Sequence, residues 1–132
     1  MKIESHLENL KESIREIEEA ITQGLVNKQR TLGFHTSAGA ADIIEIILHK
    51  NNLIDLGFII KHEWFNSKRK IEEKLNFEFP KKKEILDLAV KIEFVRNSLC
   101  YGKRQEEDKL EELVSNFNKL KEIFLEVTDY EL

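Results

Sequence analysis

Residues 3–21 read IESHLENLKESIREIEEAI, and their apolar members decide the fold class. The apolar side chains recur at alternating intervals of four and three residues, at Ile3, Leu7, Leu10, Ile14, Ile17 and Ile21. This spacing is typical of a helix that packs along one side in a bundle. The same spacing returns near the end of the chain, at Leu110, Leu113, Phe117, Leu120, Phe124 and Val127. Two such segments predict an all-α fold.

The middle of the chain adds further helices. Asn27 is a candidate cap for a helix that reaches about Lys50, and its small central residues at positions 36–41 suit a tight helix crossing in a core or a dimer. Ser67 begins a short charged helix, and the only proline, Pro80, separates it from a helix at about residues 81–100. No strand alternation is present. We therefore expect residues 1–132 to form a single domain, an antiparallel bundle of four to five helices.

Composition narrows the function classes. The chain has 132 residues, a formal net charge of −4 and one cysteine. One cysteine excludes an internal disulfide, and the net negative charge argues against a general nucleic-acid coat, although lysines cluster around residues 61–83. No stretch approaches the roughly 20 apolar residues of a membrane helix, and no signal segment is evident. We expect a cytoplasmic protein without a membrane partner.

The segment Arg96-Asn97-Ser98-Leu99-Cys100-Tyr101-Gly102 holds the most informative local cluster. Arg96 follows Ile92 by four residues and precedes Leu99 by three, so it shares their helix face. A guanidinium in an apolar stripe needs an anion or a water-filled cleft. We expect Gly102 to close the helix in the left-handed conformation and Tyr101 to stand at its end. The residues predicted to bind a phosphate-bearing ligand are Arg96, Asn97, Tyr101, Lys103 and Arg104.

A second polar line lies on the helix before it. His35, Asp42, Glu45 and His49 fall within a narrow sector of a helical wheel that is otherwise apolar. One interpretation is a solvent-facing side. The other is that Asp42 or Glu45 supports Arg96 across the bundle, with His35 as a proton carrier.

The sequence does not indicate a metal site, a catalytic thiol or a nucleotide-binding loop. The chain has no Glu-x-x-His segment of the kind that builds a carboxylate-bridged metal centre, so no metal site is predicted. His6 and His62 stand alone in the sequence and are predicted to be surface residues. Cys100 has no local histidine, and no glycine-rich nucleotide loop or nucleophile elbow is present. We expect no cofactor.

Three stretches resemble the HEPN superfamily (higher eukaryotes and prokaryotes nucleotide-binding) and a group of small archaeal proteins related to it. They are Leu32–Ala38, Lys61–Phe65 and Arg96–Gly102. The resemblance covers residues from about 32 to the end of the last helix and implies a helical bundle that forms a homodimer around a site for RNA or nucleotide. It also implies a possible toxin–antitoxin or defence role with a small nucleotidyltransferase as antitoxin.

The resemblance carries the family arginine onto Arg96 and its polar neighbour onto Asn97, whereas Tyr101 takes the position of the family histidine. A phenol with a reference pKa near 10 is a poor general base at pH 7, while imidazole titrates near 6.5. Weak or absent nuclease activity is therefore expected, with Arg96, Tyr101 and His35 as the candidate catalytic residues. Two alternatives stay open. One is an active metal-independent ribonuclease in which His35 replaces the missing histidine, and the other is a helical interaction module without a nucleic-acid ligand.

Overall fold

The computed structural model describes all residues from Met1 to Leu132. Its regular secondary structure consists of helices, with no strands. The long helices are α1 (Ile3–Gln23), α2 (Gln29–Lys50), α4 (Lys82–Tyr101) and α5 (Glu107–Val127). The connection between α2 and α4 contains a 3-10 helix (His62–Asn66) and the short helix α3 (Lys68–Lys74). The expected all-α bundle of four to five helices is confirmed, with four long helices and one short one. None of the helices combines the length and apolar character that crossing a membrane requires.

Helix α2 is the centre of the bundle and contacts α1, α4 and α5. Contacts along the helices give their directions. Gly33 of α2 lies against Leu99 of α4, whereas Ser37 reaches Glu93, so these two helices are antiparallel. On α1, Ser13 pairs with His35 and His6 pairs with Asp42, which again gives an antiparallel pair.

The small residues of α2 allow this close packing. A Cβ at Gly39 would lie 2.9 Å from Cε1 of Phe117 on α5, and one at Gly33 would lie 2.9 Å from Cβ of Leu99 on α4. Such distances leave no room for any larger residue. The predicted tight helix crossing is therefore confirmed, and it lies in the core of one chain.

The two predicted apolar seams fill the core. On α5, Leu110, Leu113, Phe117, Leu120 and Phe124 are buried. On α1 the seam runs through Leu10, Ile14 and Ile17, but Ala20 is buried in place of Ile21, which is exposed. His6 and Ser13 are buried as well, so the buried face of α1 is turned to one side of the apolar seam along the whole helix.

Two boundary predictions are wrong. Lys28, not Asn27, precedes α2, and Asn27 instead donates its side-chain amide to the Gln23 carbonyl in the α1–α2 connection. Gly102 follows α4 with φ −96° and ψ −175°, which is extended and not left-handed. A glycine is still needed there because a Cβ would collide with the Ser98 carbonyl oxygen.

A buried glutamine joins α2 to the α4–α5 connection. The Gln29 side-chain amide donates to the carbonyls of Leu99 (3.3 Å) and Lys103 (3.0 Å), and its oxygen accepts from the Gln105 backbone N–H (2.6 Å). These bonds satisfy backbone groups that the end of α4 leaves unpaired. Gln29 therefore fixes the segment that carries Lys103 and Arg104.

Candidate functional site

Arg96 lies on α4 with its guanidinium incompletely paired. Its side chain is 23% exposed, and the Nε atom is buried without a hydrogen-bond partner. The closest carboxylate oxygen, Oε1 of Glu93, lies 4.0 Å from Nε, and Nη1 donates to the Asn97 side-chain oxygen over 3.4 Å. Both contacts are long for charge-assisted hydrogen bonds, which usually span about 2.7–2.9 Å. Arg96 therefore has donor capacity left for an anion.

Glu93 is held in place by residues from two other elements. Its Oε2 atom accepts a hydrogen bond from the Ser37 hydroxyl of α2 over 2.7 Å. Its Oε1 atom lies 3.0 Å from Nδ1 of His62 in the 3-10 helix. The side chain is only 11% exposed, so few waters compete for these bonds. Glu93 thus joins α2, the 3-10 helix and α4 beside Arg96.

The hydrogen bonds determine which nitrogen of the His62 ring is free for a ligand. A carboxylate can only accept, so the proton on Nδ1 points at Glu93, with the Ser37 oxygen also 3.2 Å from this nitrogen. Nε2 is then the nitrogen left for a ligand, and the His62 side chain is 42% exposed. An imidazole oriented in this way can accept or donate a proton at Nε2.

This arrangement differs from that of a serine hydrolase. There, the serine and the acid contact opposite nitrogens of the histidine. Here, Ser37 and Glu93 lie on the same side of the His62 ring, and the Ser37 hydroxyl donates to Glu93. Ser37 is only 1% exposed. Ser37 is therefore an orienting residue and not a nucleophile.

The remaining predicted ligand-binding residues lie around the end of α4. Tyr101 follows Arg96 by five residues, which places it about 140° away around the helix axis, and it is 77% exposed. Asn97 is exposed beside Arg96. The side chains of Lys103 and Arg104 are exposed in the α4–α5 connection, where Arg104 donates to the Val26 carbonyl over 3.4 Å. In one chain, Arg96 and Tyr101 face different sides of α4.

The polar line of α2 exists, but its partners are on α1. Asp42 and Glu45 both contact His6 and have no contact with Arg96. His35 pairs with Ser13 of α1 over 3.0 Å. Ser37, which faces the Arg96 site, lies about 160° from His35 around the axis of α2. The predicted support of Arg96 by Asp42 or Glu45 and the predicted proximity of His35 to it are therefore wrong within one chain.

The prediction of an isolated surface histidine is wrong for His6, which is buried at 3% exposure. His62 is at the surface, with a side chain that is 42% exposed, but it is not isolated, since it contacts Glu93 in the Arg96 site. A signal for His6 was present, since it lies three residues after Ile3 and four before Leu10, on the apolar face of α1. His62 and Glu93 are 31 positions apart in sequence, and no local pattern connects them.

A separate groove of about 480 Å³ lies between α4 and α5, with Val90, Val95, Leu99 and Leu113 in its walls. Phe94 also borders it and is 85% exposed. Phe94 and Tyr101 are seven residues apart and therefore share one face of α4. Lys91 and Ser98 are exposed on the same face, which is distinct from the side of α4 that carries Glu93.

Comparisons of the chain with models of known protein families, with curated proteins and with solved structures gave no match.

Proposed function

We propose that this chain is a HEPN-like module that binds the phosphate of RNA or of a nucleotide at the cluster of Arg96, His62, Glu93 and Ser37. The observation that carries the proposal is the Arg96 guanidinium, whose Nε is buried and lacks a hydrogen-bond partner. A buried donor without a partner costs about 1–3 kcal/mol, and more when it is charged. The Arg96 side chain as a whole is 23% exposed, so the terminal N–H groups of the guanidinium remain for a phosphate oxygen.

The charge balance of the cluster is compatible with an anion. The two oxygens of Glu93 already face Ser37 and His62, and only the long contact at 4.0 Å joins Glu93 to Arg96. A phosphate can therefore bind the free N–H groups of Arg96 without displacing Glu93. His62, when protonated, supplies a second donor, and Lys103 and Arg104 add positive charge at the end of α4.

The exposed face of α4 supports the homodimer that the HEPN resemblance implies. Phe94 and Tyr101 are both exposed on that face, and aromatic side chains of this kind are enriched in interfaces. In the proposal a second copy packs on Phe94, and Tyr101 stacks on a base or donates to a phosphate. A nucleotidyltransferase antitoxin is the partner that the same resemblance suggests, and gene neighbourhood is the observation that tests this.

A second candidate function is metal-independent endoribonuclease activity with His62 as the acid–base group. The observation in its favour is the Glu93 carboxylate on Nδ1, which leaves Nε2 of a half-exposed imidazole free. Attack by an RNA 2′-hydroxyl needs a base that removes its proton, and imidazole suits this at neutral pH. His62 then takes the part that Tyr101 cannot play and that His35 is too distant to play.

Binding is tested by fluorescence anisotropy with a short labelled single-stranded RNA at low salt. We expect Arg96→Ala to weaken binding by about tenfold or more, because a hydrogen bond to a charged group contributes roughly 1.5–3 kcal/mol. The slope of log K against log salt should fall by about 0.7 for one lost phosphate contact on a single strand.

Arg69→Ala is the matched control, since it removes the same charge from an arginine side chain that is 90% exposed on α3. Absence of wild-type binding, or equal losses in both variants, contradicts the proposal.

Cleavage is tested on a denaturing gel with the same RNA. The ribonuclease candidate predicts that His62→Gln abolishes cutting, whereas His35→Ala does not. Uncut RNA with the wild-type protein rejects the enzyme candidate and leaves the binding proposal to the anisotropy result.

A further inference from the structure

A second histidine cluster lies between α1 and the end of α2, away from the Arg96 site. His6 is buried at 3% exposure, with its Nδ1 atom 2.8 Å from Oδ1 of Asp42 and its Nε2 atom 3.2 Å from Oε2 of Glu45. One possible metal-binding atom from each of the three residues lies within 4.8 Å of the others. One imidazole and two carboxylates thus converge in a nearly dry space.

The hydrogen bonds around the cluster are incomplete. Oε1 of Glu45 accepts from the Ile60 backbone N–H over 2.8 Å, which leaves Oε2 facing His6. Although Nε2 of His6 is near Oε2, the pair lacks hydrogen-bond geometry, and this buried nitrogen has no partner. A polar atom without a partner in a side chain buried this completely is uncommon.

His49 adds a second nitrogen without a partner. It follows Glu45 by four residues on α2, and its ring centroid lies 5.8 Å from that of His6. Its Nε2 atom is also buried and unpaired. The unpaired Nε2 atom of His49 is therefore a second imidazole nitrogen next to His6.

Two explanations of this cluster are a histidine paired with two carboxylates and a metal site, and they account for different contacts. A protonated His6 between two carboxylates explains the contact with Asp42, but it leaves the nitrogen of His49 and the misaligned nitrogen of His6 without partners. A metal ion uses carboxylate oxygens and imidazole nitrogens together. Two ligands of one tetrahedral ion at about 2.0–2.1 Å lie roughly 3.3 Å from each other, close to the 3.2 Å between Nε2 of His6 and Oε2 of Glu45.

We propose that Nε2 of His6 and Oε2 of Glu45 bind a divalent first-row transition-metal ion, with His49 beside it as a further imidazole donor, while Asp42 contacts the opposite ring nitrogen, Nδ1, and orients the ring. Imidazole together with carboxylate selects ions such as Zn²⁺ or Co²⁺ over Mg²⁺ and Ca²⁺, which prefer oxygen ligands. Because His6 belongs to α1 and the other residues to α2, the bound ion links these two helices at the end of the bundle opposite Gly24. This site is independent of RNA binding at Arg96.

The test uses metal-free protein without a histidine tag, titrated with Co²⁺ and followed by visible absorption. We expect one equivalent to bind, Zn²⁺ to displace it and Mg²⁺ to have no effect, and Zn²⁺ to raise the thermal midpoint. Glu45→Gln should weaken Co²⁺ binding by about tenfold or more, since even residues that only support a metal ligand contribute about 10- to 100-fold. Gln also keeps the volume of the side chain and the acceptor for Ile60. His62→Gln is the matched control and should bind Co²⁺ as the wild type does.

A measurement on the wild type alone keeps the proposal falsifiable if Glu45→Gln does not fold. In ¹H–¹⁵N spectra of the four histidine rings, Zn²⁺ should shift the signals of His6 and His49 and leave those of His35 and His62 unchanged. No shift, shifts confined to His35 or His62, or a loss of Co²⁺ binding in His62→Gln overturns the proposal. In that case His6 only pairs with the carboxyl groups of Asp42 and Glu45 and holds α1 against α2.

Discussion

Two histidine–carboxylate clusters lie on different sides of α2, and they differ mainly in burial. His6 pairs with Asp42 and Glu45 in a space that water scarcely reaches, whereas His62 pairs with Glu93 in a site that opens to solvent. The chemistry of the two clusters is nearly the same. The first cluster holds α1 against α2, and the second presents a free imidazole nitrogen beside an under-paired arginine.

The difference shows that burial decides whether such side chains stabilise the fold or are free to bind a ligand. When a partner is removed from a buried charged group, no water replaces it, so the cost falls on folding. At a partly exposed residue such as His62, whose side chain is 42% exposed, water replaces part of the lost interaction, so the cost to folding is smaller and a ligand can enter. Substitutions at His6, Gln29, His49 and His62 test this difference by the size of their effects on stability.

Replacing His6 should have the largest effect. His6→Leu leaves the carboxyl groups of Asp42 and Glu45 without their imidazole partner in a nearly dry space, and each buried polar group left unpaired costs about 1–3 kcal/mol. Urea denaturation of metal-free protein at pH 7 measures the change. A loss below about 1 kcal/mol would show that the cluster contributes little and would remove the distinction between the two clusters.

Gln29 is buried but uncharged, so replacing it should change stability less than replacing His6 and more than replacing His62. Gln29→Leu removes the partners of two carbonyls and one N–H group, at a cost of about 1–3 kcal/mol for groups left unpaired. Gln105→Ala is the control, because the Gln105 backbone N–H that bonds to Gln29 remains; a change within about 0.5 kcal/mol is expected. Equal effects of the two variants would contradict the structural role of Gln29.

The pH dependence of stability should show the burial of His49. Because its folded pKa lies below the ordinary value of 6.5, the unfolded chain takes up a proton before the folded chain does as the pH falls. His49 therefore contributes stability above pH 6.5 that is lost as the pH falls from there through its folded pKa.

His49→Gln removes this contribution, so its unfolding free energy should depend less on pH between 6.5 and the folded pKa than that of the wild type. Urea denaturation across this range measures the difference. Burial raises the pKa of Glu45, which acts in the opposite direction, since the folded chain then holds a proton more readily from pH 4.5 up to that pKa. Comparison of the variant with the wild type cancels the Glu45 contribution. Parallel pH profiles would contradict the lowered pKa of His49.

His62 should have the smallest effect on folding. His62→Gln removes a half-exposed partner of Glu93, and exposed pairs contribute about 0–1 kcal/mol. The same variant should still weaken RNA binding, because a donor of the proposed site is lost. A loss of stability as large as that of His6→Leu would show that the open cluster is structural.

The fold was predictable because its signals are local. The seams of α1 and α5 and the small residues of α2 repeat at helical spacing, and Ser67 caps α3 by accepting from the Lys70 N–H over 3.0 Å. Helix ends were less predictable, since Lys28 precedes α2 for reasons of tertiary packing around Gln29.

The candidate site was only partly predictable because its contacts join distant segments. Arg96 stood out through its position in an apolar stripe, and the polar line of α2 was identified from its helical wheel. Which neighbouring helix each polar residue faces depends on how the bundle assembles, and the helical wheel of α2 alone does not contain that information. For this reason Glu45 was assigned to Arg96, although it contacts His6, and His62 was not connected to Glu93 at all.

The Nε–H signal of Arg96 in a ¹H–¹⁵N spectrum tests the central claim most directly. The chain has only five arginines, so comparison with Arg96→Lys identifies the signal. Addition of short single-stranded RNA or a nucleotide should shift this signal, because a phosphate bound to the terminal N–H groups changes the electron distribution of the whole guanidinium. The signal of Arg69, which already donates to Glu73 over 3.2 Å, should stay in place. An Arg96 signal that does not move under saturating RNA and nucleotide would contradict the claim that the open cluster on α4 is a phosphate site.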